Sequence, residues 1–359
     1  MASGRVEVPL TPTYPVVVGA GFDLANVLSG ALEPAVGAIL TDSNVGPSHG
    51  PSLKRTLEEA GWRVADVVEI PAGERSKGVA VYARVAGRLA RAGLTRDATL
   101  FALGGGVVGD LGGFVAATFM RGINYVALPT SLLAMVDSSV GGKVGLDLPE
   151  GKNLLGSFFQ PRIVVADLGW LETLPARELS CGLAEVVKMG LLSGGDYFAD
   201  LDRIEAALQR DLDALRALIL HSVRFKASIV AEDELEKGRR AILNYGHTIG
   251  HGLEAAAGYT LPHGEAVSAG MVAAAHLSRE RLDTDLVGLH EDLLRSAGLP
   301  PRVPYVETEK VLSAMSRDKK RRARAEEYRF VLLESVGKPV WDVAVAEDEA
   351  RRSIEAVVG

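Results

Sequence analysis

Along the first half of the chain, short apolar, β-branched runs alternate with stretches in which apolar residues recur every three or four positions. Residues 36–41 (VGAILT), 63–69 (RVADVVE), 98–103 (ATLFAL), 124–128 (NYVAL) and 162–166 (RIVVA) predict buried strands, and 51–60 and 77–92 predict helices between them. Alternation of this kind predicts a mostly parallel sheet with helices on both faces. After about residue 175 the period changes. PARELSCGLAEVVKMGLL, DALRALILHSVRFKASIVAEDE, GEAVSAGMVAAAHLSRERL and DLVGLHEDLLRSAGLP carry helical spacing, several of them closed by Gly or Pro. In that half only YRFVLLE, 328–334, has strand character. The expected organisation is an α/β domain over residues 1–178 and a helical domain over 179–359, in keeping with a length that suits about two domains.

Composition narrows the class. Hydrophobic residues make up 47% and charged residues 24%, as in an ordinary soluble globular protein. A net charge of −7 argues against general nucleic-acid binding, which needs a basic footprint. No apolar stretch reaches the ~18 residues of a membrane span. The opening MASGRVEVPLTPTYPVVVG has prolines where a signal peptide needs an unbroken apolar segment, so a cytoplasmic protein is expected. The single cysteine, Cys181, excludes an internal disulfide and a cysteine-cluster zinc site. A bound metal would therefore take His, Asp or Glu.

Four stretches carry candidate chemistry. In TLFALGGGVVGDLGGFVA, Gly104, Gly106 and Gly109 fit G-x-G-x-x-G between a strand and a helix, where bare backbone and a helix N-terminus suit a diphosphate. The plain alternative is a tight turn. This turn follows about the third strand rather than the first, and the candidate ribose acid, Asp42, lies earlier, with Asn44 close behind. PAGERSK, 71–77, also follows a strand and offers Glu74 and Lys77. The glycine-rich segment 128–161 is too long for an ordinary connection and holds Asp137, Lys143, Lys152 and Asn153; its lysines suit an anionic substrate. Finally, NYGHTIGHGLEAAAGYTLPHGE holds three of the seven histidines. By spacing alone, His247 and His251 at i and i+4 would chelate together. The remaining carboxylate has a candidate in Glu185, which sits with Lys188 on a mostly apolar helix, unless those two form a plain structural salt bridge. Six basic residues within 317–324 read as a solvated loop.

The segments GERSK, LGGGVVGDLGGFVA, PTSLLAMVDSSVGGKVGLDLPEGKNLLGSF, LPARELSCGLAEVVKMG, NYGHTIGHGLE, LPHGEAVSAGM and RDKK occur in that order. Together they closely resemble the 3-dehydroquinate synthases of the sugar phosphate cyclase family, over about residues 40–335. The resemblance implies a Rossmann-like NAD-binding α/β domain joined to an all-α domain that binds metal and substrate, assembled as a homodimer. It implies a phosphate-eliminating lyase of the shikimate pathway and aromatic amino acid biosynthesis. The substrate would be the seven-carbon keto-acid sugar phosphate DAHP. NAD would be regenerated within each turnover, through transient oxidation, phosphate loss, re-reduction and an internal aldol closure. The divalent metal would be zinc, with cobalt as an alternative.

Residue by residue, the resemblance makes Glu185, His247 and His263 the metal ligands, which displaces the His247–His251 chelate and leaves His251 as a polar or acid–base group beside substrate. The nucleotide would meet Asp42, Asn44, Gly73, Glu74, Lys77, Gly105, Gly106, Val107, Val108, Gly109, Asp110, Thr130, Ser131, Lys143, Lys152, Trp170, Leu171, Glu172 and Thr173. Substrate would meet Arg121, Asp137, Lys143, Asn153, Lys188, Lys226, Arg240, Asn244 and the pair Lys319–Lys320. Cys181 is expected to pack rather than react. Three rival readings remain open at this point. They are a related cyclase such as an aminodehydroquinate synthase, a metal-dependent polyol dehydrogenase that releases NADH, and a catalytically inactive nucleotide-binding protein.

Overall fold

The apolar runs pair side by side. In the computed structural model, which describes residues 3–317 and 327–359, the chain forms two compact units. One comprises the residues up to 174 together with 226–231, the other 175–225 and 232–359. The first unit carries, in chain order, β1 (Gly4–Val8), β2 (Tyr14–Gly19), α1 (Leu24–Ser29), β3 (Val36–Asp42), α2 (Gly46–Glu59), β4 (Arg63–Ile70), α3 (Val79–Arg91), β5 (Thr99–Gly104), α4 (Gly106–Thr118), β6 (Asn124–Pro129), β7 (Lys143–Leu148), β8 (Gly151–Phe158) and β9 (Ile163–Asp167). Seven strands make one sheet in the order β1-β2-β9-β6-β5-β3-β4, parallel throughout except for the β1–β2 pair.

The central strands are buried on both faces, which is why they read as continuous apolar runs. Every residue of β5 is buried. On one face Ile39, Phe101, Val126 and Val165 pack with Leu53, Leu57 and Trp62, and the Trp62 and Phe101 rings meet edge to face at 5.0 Å. From β3 the chain runs outward to β4 and then returns to β5 on the other side of β3. This reversal puts the carboxyl ends of β3 and β5 side by side, the place where open α/β sheets bind ligands.

Two findings differ from the reading of the sequence. The segment 128–161 is not an open loop: it contains a π-helical turn at Ala134–Ser138 and the antiparallel β7–β8 hairpin. Its glycines serve close strand pairing there, since a Cβ at Gly145 would lie 2.6 Å from the Leu155 carbonyl oxygen. Strands β1 and β2 lie outside the five strands that the apolar runs predict in this half of the chain.

The second unit is helical. It carries α5 (Ala176–Ser193), α6 (Gly195–Ala199), α7 (Ile204–Leu208), most of α8 (Leu212–Glu232), α9 (His247–Ala256), α10 (His263–Leu282), α11 (Val287–Ser296), α12 (Thr308–Arg317) and α13 (Glu347–Glu355). The expected strand is there as β10 (Glu327–Ser335), and it pairs with β11 (Lys338–Ala346), which the reading passed over. Ser278 of α10 ties the hairpin down by accepting from the Leu333 amide at 3.1 Å. Lys319 and Lys320 lie outside the described residues. Among the described residues no helix is long and apolar enough to cross a membrane.

Helices α5, α9 and α10 meet at unusually short range. A Cβ at Gly270 of α10 would sit 2.0 Å from the carbonyl oxygen of Gly246, the residue before α9. One at Gly264 would sit 2.3 Å from Cα of Cys181 on α5. Both obstacles are backbone, so neither can swing aside. Gly270→Ala is expected to destabilise the protein by at least the ~1–3 kcal/mol typical of overpacking. The check is the thermal midpoint against wild type, with a small shift counting against this account of the three-helix contact.

Candidate active site

In the second unit the close helix contacts bring three side chains to one point. Residues 179–192 of α5 are buried throughout, and Glu185 and Lys188 stand in the middle of that stretch, each about 1% exposed. Such a carboxylate needs compensation. Lys188, one turn on, forms an ion pair with Glu185 Oε2. His247, the first residue of α9, and His263, the first residue of α10, each direct Nε2 to within 3.4 Å of Glu185 Oε1. Neither Glu185 oxygen has a hydrogen-bond partner of good geometry among the described residues.

These residues fit a divalent metal. One ligand atom from each of Glu185, His247 and His263 lies within 4.8 Å of the other two. Ligands about 2.0–2.2 Å from a tetrahedral ion stand roughly 3.4 Å apart, which is the spacing of both imidazoles from the carboxylate. Three protein ligands leave a fourth position for substrate or water. His251 is not part of this group. Its ring centroid is 5.2 Å from that of His247 and 6.2 Å from that of His263, and it falls in a second cluster with Glu254 and His263. The His247–His251 pair that spacing alone suggested is therefore not the set that converges with a carboxylate.

The electrostatics separate the two histidines. Burial, reinforced by Lys188, pushes His247 down to about 3, so its ring stays neutral. Its Nδ1 donates to the Tyr245 carbonyl at 3.0 Å, leaving the Nε2 lone pair facing Glu185. Burial also works against a charged His263, but contacts with Glu185 and Glu254 outweigh it and push that ring up to about 10. Burial by itself would raise Glu185, yet Lys188 and the two histidines hold it well below the usual carboxylate range. Burial pushes the Cys181 thiol up to about 11, in keeping with a packing role.

Other candidates in this unit surround the approach to α9. Arg240 is buried, its guanidinium donating to the Glu234 carbonyl, and Asn244 donates to Glu236 Oε1 at 2.9 Å. Asp233 shapes this loop by accepting from the amides of Lys237, Gly238 and Arg240.

In the first unit the nucleotide candidates gather along the carboxyl edge of the sheet. Asp42 ends β3 and accepts from the amides of Asn44 and Val45 at 2.8 and 3.0 Å. Gly105 precedes α4, and Val107, Val108, Gly109 and Asp110 form its first turns. Small hydroxyls border this helix start: a Cβ at Gly105 would be 3.4 Å from Ser131 Oγ, and one at Gly106 3.2 Å from Ser138 Oγ. Thr130 follows β6, with its amide on the Gly104 carbonyl. Trp170, Leu171, Glu172 and Thr173 form a 3-10 turn after β9, where Thr173 Oγ1 lies 2.9 Å from His49 Nε2.

Lys77 ties the edge together. Buried, it donates to Asp110 Oδ2 and Asn153 Oδ1, each at 2.5 Å. Burial alone would lower it, but Asp110 and Glu74 hold it above its ordinary value. Gly73 caps the short turn carrying Glu74, which pairs with Lys152 at 3.5 Å. Asn153, at φ +55, donates its amide to Asp147 Oδ1 at 2.8 Å. Lys226 is buried and donates to the carbonyl and Oδ1 of Asp137, on the π-helical turn, at 2.7 and 2.8 Å. Lys143 is exposed at the start of β7. Arg121 is not brought to this edge: it sits on an exposed turn beyond the far end of α4, about 20 Å along that helix.

Comparison with known proteins decides the family. Residues 67–181 match the family model described as 3-dehydroquinate synthase N-terminal, and 182–321 that described as 3-dehydroquinate synthase C-terminal. A 3-dehydroquinate synthase from Acidithiobacillus ferrooxidans is 47% identical over 336 residues, 91% of either chain. The chain belongs to the 3-dehydroquinate synthase family. Its fold is also that of 2-deoxy-scyllo-inosose synthase in complex with carbaglucose-6-phosphate, NAD+ and Co2+, at a TM-score of 0.90 and 27% identity over 99% of this chain and 100% of that one. It is similar to ValA, the 2-epi-5-epi-valiolone synthase of Streptomyces hygroscopicus with NAD+ and Zn2+ bound, at a TM-score of 0.84 and 26% identity over 96% of both.

Several residues in these clusters escaped the sequence reading, among them Glu254, Asp147 and Ser138. Of these three only Glu254 left a signal, an acid seven residues after His247 on an apolar helix face.

The His263 shift yields a test. Without metal, a ring pushed up to about 10 carries its proton at pH 8, and that proton must leave when Nε2 becomes a ligand. Its charge stabilises the metal-free fold fully below the ordinary value near 6.5, and that share is lost as pH rises through about 10. Calorimetric zinc titrations at pH 8 in buffers of different ionisation enthalpy are expected to show close to one proton released per ion. Release near zero would contradict this electrostatic assignment.

Proposed function

We propose that the chain converts DAHP to 3-dehydroquinate with release of phosphate, using catalytic NAD and one divalent metal. The convergence of Glu185, His247 and His263 carries this reading, and the 47% identity to a 3-dehydroquinate synthase supports it. When bound, NAD would accept and return a hydride and the dication would acidify the substrate alcohol.

The chain's own residues supply the rest. Lys188 keeps Glu185 ionised and so keeps a carboxylate available as a ligand. His251, half-buried beside both ligand histidines, is suited to move a proton at a substrate hydroxyl. Arg240 and Asn244, steadied by the 233–238 loop, suit a carboxylate. Lys143 and Lys152 on the hairpin, with Asn153, suit phosphate. Asp137 orients Lys226 through two bonds, which fixes an ammonium group at little further entropic cost. In the first unit, Asp42 and the start of α4 suit the ribose and diphosphate of the nucleotide. The first unit would then be the NAD-binding domain and the second the metal- and substrate-binding domain.

Zinc as the resident ion, cobalt as its substitute, the lyase class, a homodimer, a cytoplasmic place and a role in the shikimate pathway all belong to the same proposal. An aminodehydroquinate synthase or a polyol dehydrogenase is the lesser reading. The match to 3-dehydroquinate synthases over both units favours neither.

Purified protein given DAHP, zinc and a trace of NAD is expected to release phosphate and form dehydroquinate in large excess over the NAD, with no NADH accumulating. NADH rising in proportion to substrate consumed would identify a dehydrogenase instead. No phosphate release from DAHP would remove the proposed activity.

A further inference from the structure

Resting on the reading of Glu185, His247 and His263 as metal ligands, we propose that Glu254 is a positioning residue that holds the His263 ring by its Nδ1 side so that Nε2 points at the metal.

Each ligand imidazole has one nitrogen for the ion and one for the protein. His247 presents Nδ1 to the Tyr245 carbonyl at 3.0 Å. That carbonyl belongs to a residue fixed at its other end, because the buried Tyr245 hydroxyl lies 2.8 Å from His290 Nε2 and His290 Nδ1 lies 2.7 Å from the Leu286 carbonyl. His263 is backed by charge instead. Its Nδ1 lies 3.6 Å from Glu254 Oε2, while its Nε2 lies 3.4 Å from Glu185 Oε1. The ring is thus bracketed by two buried carboxylates, one on each nitrogen.

Glu254 is 4% exposed. It stands seven residues after His247 on α9, so the two share a helix face. One helix therefore presents a ligand and the support for the ligand of the next helix. A buried carboxylate against an imidazole N–H fixes the tautomer, orients the ring and makes the other nitrogen a stronger donor to a metal. The competing role is local: Glu254 is also three residues from His251, and His251, Glu254 and His263 come within 4.8 Å of one another. Service to His251 alone would affect turnover but leave metal affinity untouched.

The test is competition for Co2+ against a chromophoric chelator, using full-length protein stripped of metal, without NAD or substrate. Wild type and Glu185→Gln are measured first. If wild type does not bind, or Glu185→Gln binds as well as wild type, the reading of the metal site fails and this proposal falls with it. Given that control, Glu254→Gln is expected to weaken Co2+ binding on the order of 10–100-fold, with an altered visible spectrum, in a metal-free protein that still folds but melts lower than wild type because the His263 ring loses one of its two carboxylates. In a His263→Ala background the same substitution should add no further loss. Binding within twofold of wild type overturns the proposal, as does an equal loss in the His263→Ala background. Should Glu254→Gln fail to fold, Co2+-loaded wild type decides by proton NMR. Two hyperfine-shifted, exchangeable imidazole N–H protons are expected, one per ligand histidine. A spectrum without the one lost in His263→Ala overturns the proposal.

Discussion

An ionised carboxylate in the middle of a long buried helical stretch is among the most expensive groups a protein can carry, and Glu185 is such a group. Lys188 neutralises its charge, but the other oxygen faces two imidazole nitrogens at 3.4 Å across a gap the size of an ion. Much of the second unit follows from that gap. For His247 and His263 to reach Oε1 from the first positions of their helices, α5, α9 and α10 must approach to backbone contact. Gly264 and Gly270 permit this. Removing Lys188 would take away the ion-pair partner of Glu185, and breaking a buried pair costs about 3–5 kcal/mol.

The first unit solves a different problem with ordinary means. Reversal of strand order between β3 and β5 opens the carboxyl edge of the sheet, and short polar contacts furnish it. Lys77 is the organising group. It neutralises Asp110 at the start of α4 and fastens Asn153 of the hairpin, whose backbone Asp147 holds in turn. A cation locked in this way acts by shaping the edge and setting its potential, whereas Lys143 and Lys152 are more exposed.

What the sequence made legible follows from where each element is buried. β3, β5, β6 and β9 are covered on both faces and so appear as unbroken apolar runs. The β7–β8 hairpin was hidden because its strands pair through Gly145 and Gly156, residues that by themselves signal a loop. β11 escaped because its exposed, mixed face masks the alternation. In the site, spacing showed that histidines cluster but not which helix faces them. Sequence distance ties His247 to His251, whereas the carboxylate at the point of convergence comes from α5, sixty-two residues earlier in the chain. Glu185 came into view through the buried pair it makes with Lys188 and through the family resemblance. Glu254 drew no notice because a single acid on an amphipathic helix is usually solvated.

X-ray absorption at the metal edge of zinc-loaded protein, wild type beside His263→Ala, tests the convergence of Glu185, His247 and His263 most directly. The geometry predicts a first shell with two imidazoles and oxygen ligands in wild type, falling to one imidazole in the variant. A wild-type shell without imidazole, or one that keeps both after His263 is removed, would contradict it.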